Sequence, residues 1–185
     1  MLTENAELKK KAEEQEKELE RKTLELYETI DQTNKEMNEK LREVQYNTEF
    51  AIAINKSKDE EKIEELKKLV KKYPKKADIY IQLGIYLIIK KKYEEAVSNF
   101  NIVKKLEPKK FSSYMFLGTV YESWGEKEKG KNRYIEAKKN FELAIKNYKE
   151  IIKLDLNSIV WKKQLKELEE KLEKVEEKLK ELEGE

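Results

Sequence analysis

The chain has 185 residues, 43% of them charged, with five glycines, two prolines, no cysteine and no histidine. That composition leaves no thiol nucleophile, no disulfide, no Ser-His or Cys-His relay and no thiolate or imidazole metal ligand. With no phosphate-cradling or calcium-loop motif in the sequence either, no cofactor and no enzyme activity are expected. The net charge of +2 hides an asymmetry: residues 1–66 carry 12 basic against 19 acidic side chains, and residues 67–110 carry 13 against four. Such a gradient steers partners or holds segments of one chain together.

Residues 1–56 form the first region. No Gly or Pro occurs between positions 3 and 55, which predicts one very long helix, about 80 Å at roughly 1.5 Å per residue. Its apolar stripe runs through Leu8, Ala12, Leu19, Leu26, Ile30, Met37, Leu41 and Val44. Gln15, Lys22 and Thr33 break it, so it is coiled-coil-like but a poor coiled coil on its own. Residues 57–76 read as a short helix ending at Pro74, with Leu66 and Leu69 on its inner face and Lys62 where a small residue would be wanted. Its packing partner is expected at the end of the first helix, around Tyr46, Phe50 and Ala53.

From here the sequence repeats. Pro74 and Pro108, Tyr80 and Tyr114, Leu83 and Leu117, and Gly84 and Gly118 are each separated by 34 residues. Residues 77–110 predict two helices whose close crossing is permitted by Gly84 and Ala96, filled by Tyr80, Leu83, Leu87, Phe100 and Val103, and ended at Pro108. Residues 111–158 begin a second copy with Tyr114, Leu117, Gly118 and Tyr121, and Gly125 falls where the turn is expected. Gly130, Tyr134 and Ala137 continue that register. The apolar spacing then runs on through Phe141, Ala144, Tyr148 and Ile151, which predicts an extended second helix from about Glu126 to Leu154. Leu156 stands where a terminating proline would be, and Asn157-Ser158 is a turn and N-cap signal. Residues 159–185 carry a clean heptad seam, Trp161, Leu165, Leu168, Leu172, Val175, Leu179 and Leu182. It serves either to cap the last repeat or to pair with another helix in an oligomer.

The 34-residue period, with small residues at 84 and 96, an aromatic at 100 and proline at 108, resembles the tetratricopeptide (TPR) family. The resemblance is complete for residues 77–110 and partial for 57–76 and 111–158. It implies an all-α solenoid of antiparallel helix hairpins, about three repeats, flanked by long N-terminal and C-terminal coiled-coil-like helices. It also implies a concave face that binds another protein. On this sequence the family's contact positions fall on Asp78, Ile81, Ile85, Ile88 and Ile89, then on Ser112, Met115, Thr119, Glu122 and Ser123. Exposed isoleucines are costly, about 25 cal/mol per Å². Two coverings are open: the chain itself, or a partner's apolar segment.

The carboxylate clamp of chaperone-binding members is not matched. Its positions hold Asn47, Ala51, Gln82, Ser112 and Phe116. A basic edge is formed by Lys67, Lys68, Lys71, Lys72, Lys75 and Lys76, extended by Lys90, Lys91, Lys92, Lys104, Lys105, Lys109 and Lys110. A solvated helix face is the plain reading, and an acidic protein the sharper one. Nucleic acid is disfavoured because arginine occurs only at positions 21, 42 and 133. No segment reaches the roughly 20 apolar residues of a membrane span, and no leader is expected. The Lys, Ile, Asn and Glu bias is similar to proteins of AT-rich bacteria such as spirochaetes, which implies a bacterial cytoplasmic or cell-envelope protein.

Overall fold

The computed structural model describes residues 2–108, 110–154 and 158–184, with side chains from residue 7 onward. Among these residues there are seven helices: α1 (Leu2–Ile54), α2 (Asp59–Lys72), α3 (Ala77–Ile89), α4 (Tyr93–Leu106), α5 (Phe111–Lys129), α6 (Tyr134–Leu154) and α7 (Ile159–Glu183). The chain divides into two units, residues 1–48 and 49–185.

In the first unit, helix propensity and local ion pairs hold α1 as a helix, with little help from core burial. Arg21 bridges Glu18 and Glu25, and Lys35 meets Asp31 at 2.6 Å. The apolar stripe is exposed: Leu19, Leu26, Met37, Leu41 and Val44 each keep more than half of their surface in solvent.

The second unit is a stack of antiparallel helices. α2 buries Ile63, Leu66 and Leu69 on one face. Its first turn and its middle are tied to the first hairpin by ion pairs of Glu60 with Lys90 (2.6 Å) and of Lys67 with Glu95 (3.1 Å). α3 is apolar nearly all round; it packs between α2 and α4, touches α5, and leaves Ile89 exposed. Gly84 lies so close to α4 that a Cβ there would stand 2.5 Å from the Phe100 ring, and Ala96, Phe100 and Val103 are fully buried. Tyr80 donates its hydroxyl to the Pro74 carbonyl (3.1 Å), which pins the α2–α3 turn.

The second hairpin departs from the sequence expectation. Gly125 is not in the turn. It lies inside α5, buried, and a Cβ there would meet the Phe141 ring at 2.6 Å. Gly118 faces the Tyr148 ring in the same way. The turn is at Gly130–Arg133, and α6 starts at Tyr134. Gly130 and Tyr134 therefore do not occupy the inner register read for them, and Ala137 occupies a different one. Trp124 is mid-helix and stacks on Tyr93 with centroids 6.0 Å apart.

The physical reason is a second echo, 41 residues after the first hairpin. Tyr93 and Ala96 recur as Tyr134 and Ala137; Gly84 and Phe100 recur as Gly125 and Phe141. The turns match too. Among the described residues, Lys91 and Asn132 are the non-glycine residues with positive φ, 58° and 59°. The bonds from Lys92 N to Leu87 O and from Ala96 N to Lys92 O recur as Arg133 N to Glu128 O and Ala137 N to Arg133 O. α5 starts on the 34-residue register and ends on the 41-residue one, so each arm of the hairpin carries about two extra turns.

α7 packs on α6. Leu168 and Val175 are fully buried, and Trp161, Leu165, Leu172 and Leu179 are half-buried against Ala137, Phe141, Ala144, Tyr148 and Ile151. Lys138–Glu176 (2.8 Å) and Lys149–Glu169 (3.2 Å) flank the seam in antiparallel sense. Ser158 caps α7 by accepting from the Trp161 N–H. Leu156, Asn157 and Lys109 lie outside the described residues.

Candidate protein-binding groove

Five of the contact positions read from the sequence line one groove. α3 supplies Ile85, Ile88 and Ile89, and α5 supplies Met115, Phe116 and Thr119; the cavity is about 370 Å³. Its far wall was not anticipated: Tyr148 of α6 and Trp161 and Gln164 of α7 complete it. Ile89 is 56% exposed, while Ile85 and Ile88 are half-buried. Phe116, outside the family contact set, stacks on Phe100 at 5.1 Å and carries the groove floor into the core.

Other expected contacts lie elsewhere. Ile81 packs against the cluster of Ala77, Tyr80 and Val103. Asp78 is exposed at the start of α3, and Ser112 is half-buried in the first turn of α5. Glu122 has an internal task. It accepts from the Tyr148 hydroxyl (2.8 Å), the Lys171 ammonium (2.8 Å) and the Gln164 amide (3.3 Å), tying α5, α6 and α7 together. Burial, with the charge of Glu122 added, pushes the Tyr148 phenol well above the ordinary tyrosine value. Burial opposes the charge on Lys171, but hydrogen bonds to Glu122 and Glu126 outweigh it and raise its pKa. This hub is visible in the sequence only once Gly118 and Tyr148 are known to face each other.

The basic edge is largely neutralised by the chain. Lys67 pairs with Glu95, Lys68 with Glu65 at 2.9 Å, and Lys72 with Glu49. Lys90 is held by α2 carboxylates, and Lys104 sits over the Tyr114 ring at 4.5 Å. Lys71 and Lys75 remain solvent-exposed.

Glycine-on-aromatic hairpins, stacked so that the first helix of each lines one groove, decide the architecture. The fold is a tetratricopeptide solenoid. No family model and no curated protein matches the chain. Among solved structures, the first TPR domain of Spaghetti (RPAP3), bound to an HSP90 peptide, is similar with a TM-score of 0.50 and 17% identity, over 70% of this chain and 91% of that one. The Yersinia enterocolitica type III secretion translocator chaperone SycD is similar at 18% identity over 72% and 85%, with a TM-score of 0.48. The TPR2B domain of yeast Sti1, in complex with pHsp70, aligns at 16% identity over 72% and 95%, with a TM-score of 0.43. At these identities the likeness is one of fold. No described helix is long and apolar enough to cross a membrane, and among the described residues no group of three or more acidic side chains is placed to hold a metal ion.

Proposed function

We propose that this TPR solenoid is a protein-binding scaffold whose groove between α3, α5 and α7 takes an apolar segment of another protein. The observation that carries the reading is the groove itself: Ile88, Ile89, Met115 and Trp161 line one cavity that the chain leaves open. Burying such a surface is worth about 25 cal/mol per Å². The segment bound is not a chaperone tail held by its carboxylate, since the clamp residues are absent from the sequence. The test is a photo-crosslinking residue at Ile89 in cells of the source organism, compared with Ile85→Glu. A crosslinked protein that disappears with Ile85→Glu, while the circular dichroism melt is unchanged, supports the groove. Crosslinking that survives Ile85→Glu removes it.

A second reading is assembly of copies through the terminal helices. α7 offers little for it, since Leu168 and Val175 are spent on α6 and only Leu182 of the seam is well exposed. The exposed stripe on α1 keeps the reading alive. Light scattering on the native chain and on Leu26→Glu/Leu41→Glu decides it: a dimer that the double variant abolishes supports assembly, and a monomer at all concentrations ends it.

A further inference from the structure

The two extra turns of the α5–α6 hairpin create a second concavity, which shares no lining residue with the isoleucine groove. It holds about 350 Å³ between Tyr121, Trp124 and Glu128 of α5, Glu136 and Asn140 of α6, and Glu94 in the first turn of α4.

Three features of this cavity go beyond what packing requires. Glu128 is a carboxylate at the position where the first hairpin holds the fully buried Leu87; it is only 3% exposed and is neutralised by Arg133 across the turn. Asn140 is 7% exposed, and its side-chain amide makes no hydrogen bond among the described residues. Its amide opens onto the cavity, where an entering group can replace water on it. The rim carries Glu94 and Glu136, neither in an ion pair among the described residues, against the single ammonium of Lys139. Once Glu128 and Arg133 cancel, the cavity is negative by one charge and walled by two aromatic rings.

Aromatic faces beside carboxylates favour a flat cation, which stacks on the ring and forks onto the acid. The same aromatic stack already accepts a cation on its other member, since the Lys127 ammonium lies 4.9 Å from the Tyr93 ring centre. An amide side chain at the floor suits a peptide carbonyl. We infer that this cavity binds an arginine side chain of a partner protein, with the guanidinium against Trp124 and the rim carboxylates and the adjoining main-chain carbonyl on the Asn140 amide. The site is separate from the isoleucine groove.

The chain has two tryptophans, so the two indole N–H signals in a nitrogen–proton correlation spectrum report the two sites separately, and Trp161→Phe assigns them. The probes are N-acetyl-arginine N-methylamide and its glutamate counterpart, added to the full chain. The expected result is a saturable shift of the Trp124 indole by the arginine probe alone, with the Trp161 indole still. Glu94→Gln/Glu136→Gln, two exposed changes that leave the core untouched, should weaken binding about fivefold, and Asn140→Ala by a similar factor. A stationary Trp124 signal, equal binding of the glutamate probe, or full affinity in the double glutamine variant would each overturn the inference.

Discussion

Moving the hairpin turn from Gly125 to Gly130–Arg133 has a direct consequence for two glycine substitutions. A methyl group at Gly125 would stand 2.6 Å from Cδ1 and Cε1 of Phe141, about 1 Å inside a normal carbon–carbon contact. The contact cannot relax cheaply, since Phe141 has no exposed surface and lies between buried Ala137 and Ala144. Overpacking of this kind costs about 1–3 kcal/mol, and the better helix propensity of alanine returns up to about 1 kcal/mol. Gly125→Ala should therefore destabilise by about 1–2 kcal/mol. At Gly130 the φ is −62°, and a methyl group would meet only backbone oxygens at 3.4 and 3.6 Å. Gly130→Ala should be neutral or stabilising by up to about 1 kcal/mol. The variants should differ by about 2 kcal/mol with opposite signs, roughly 6 °C in melting temperature for a unit of this size. Urea titration followed by circular dichroism measures this directly, and Gly125→Ala/Phe141→Leu should recover part of the loss. If Gly130→Ala were the more damaging change, the turn would lie near Gly125 and the two extra turns in each arm would not exist.

Further outcomes follow from the capping helix and the buried groups. Leu168→Ala should cost about 2–5 kcal/mol and release α7, seen as faster hydrogen exchange from Trp161 to Leu182. Glu122→Ala strips Tyr148, Gln164 and Lys171 of their common acceptor and should cost about 1–3 kcal/mol without altering the first hairpin, which exchange on α3 and α4 checks. Burial pushes up the phenols of Tyr148, Tyr121 and Tyr93. Their neutral forms therefore stabilise the fold fully below the unfolded value of about 10, and that stability is lost as pH rises past it. An ultraviolet titration should show at least one tyrosine ionising only as the helices melt, and Tyr148→Phe should make the alkaline limb of the stability curve shallower. Glu128→Leu, which restores the residue type of Leu87, should be neutral or stabilising, because Arg133 is half-exposed and keeps its charge in water without a partner. A loss of more than 2 kcal/mol in that variant would mean that the buried ion pair is needed for the turn.

The first hairpin was legible in the sequence because each of its constraints is local and single-valued. Gly84 and Ala96 are the only small residues suitably placed for the crossing, Phe100 fills it, and Pro108 cannot continue the helix. The second hairpin offered two registers. A repeat of 34 residues from Gly84 selects Gly118, and the pattern of glycine, Tyr-x-x-Ala and phenylalanine selects Gly125, Ala137 and Phe141 at 41. Glycine reads as a turn residue in isolation, and nothing before Gly125 marks it instead as a place where a ring packs. The Tyr134-x-x-Ala137 echo of Tyr93-x-x-Ala96 was the available signal. The groove was half legible for the same reason: α3 and the start of α5 keep the 34-residue register, which places Ile85, Ile88, Met115 and Thr119 along one cavity. Tyr148, Trp161 and Gln164 join them through a hairpin longer than the period allows.

That the insertion measures seven residues in each arm has a physical cause. Seven residues make nearly two turns of α-helix, with a residual rotation of about 20°. An added heptad therefore returns the inner face of α5 to α6, and Gly118 opposite Tyr148 becomes one layer with Gly125 opposite Phe141 as the next. An insertion of two or five residues would have turned one of the two glycines away from its ring. Equal lengthening of both arms keeps the turn square, which is why the hydrogen bonds around Arg133 copy those around Lys92. Lengthening also outruns α4, whose first turn now faces the middle of α5 and leaves Tyr121 and Trp124 as walls of a cavity. In an unextended repeat the residue at Glu128 would be a core leucine, as Leu87 is. The buried carboxylate and its arginine sit at the turn that the extension carries past α4, so the added turns and the charged cavity are one structural change.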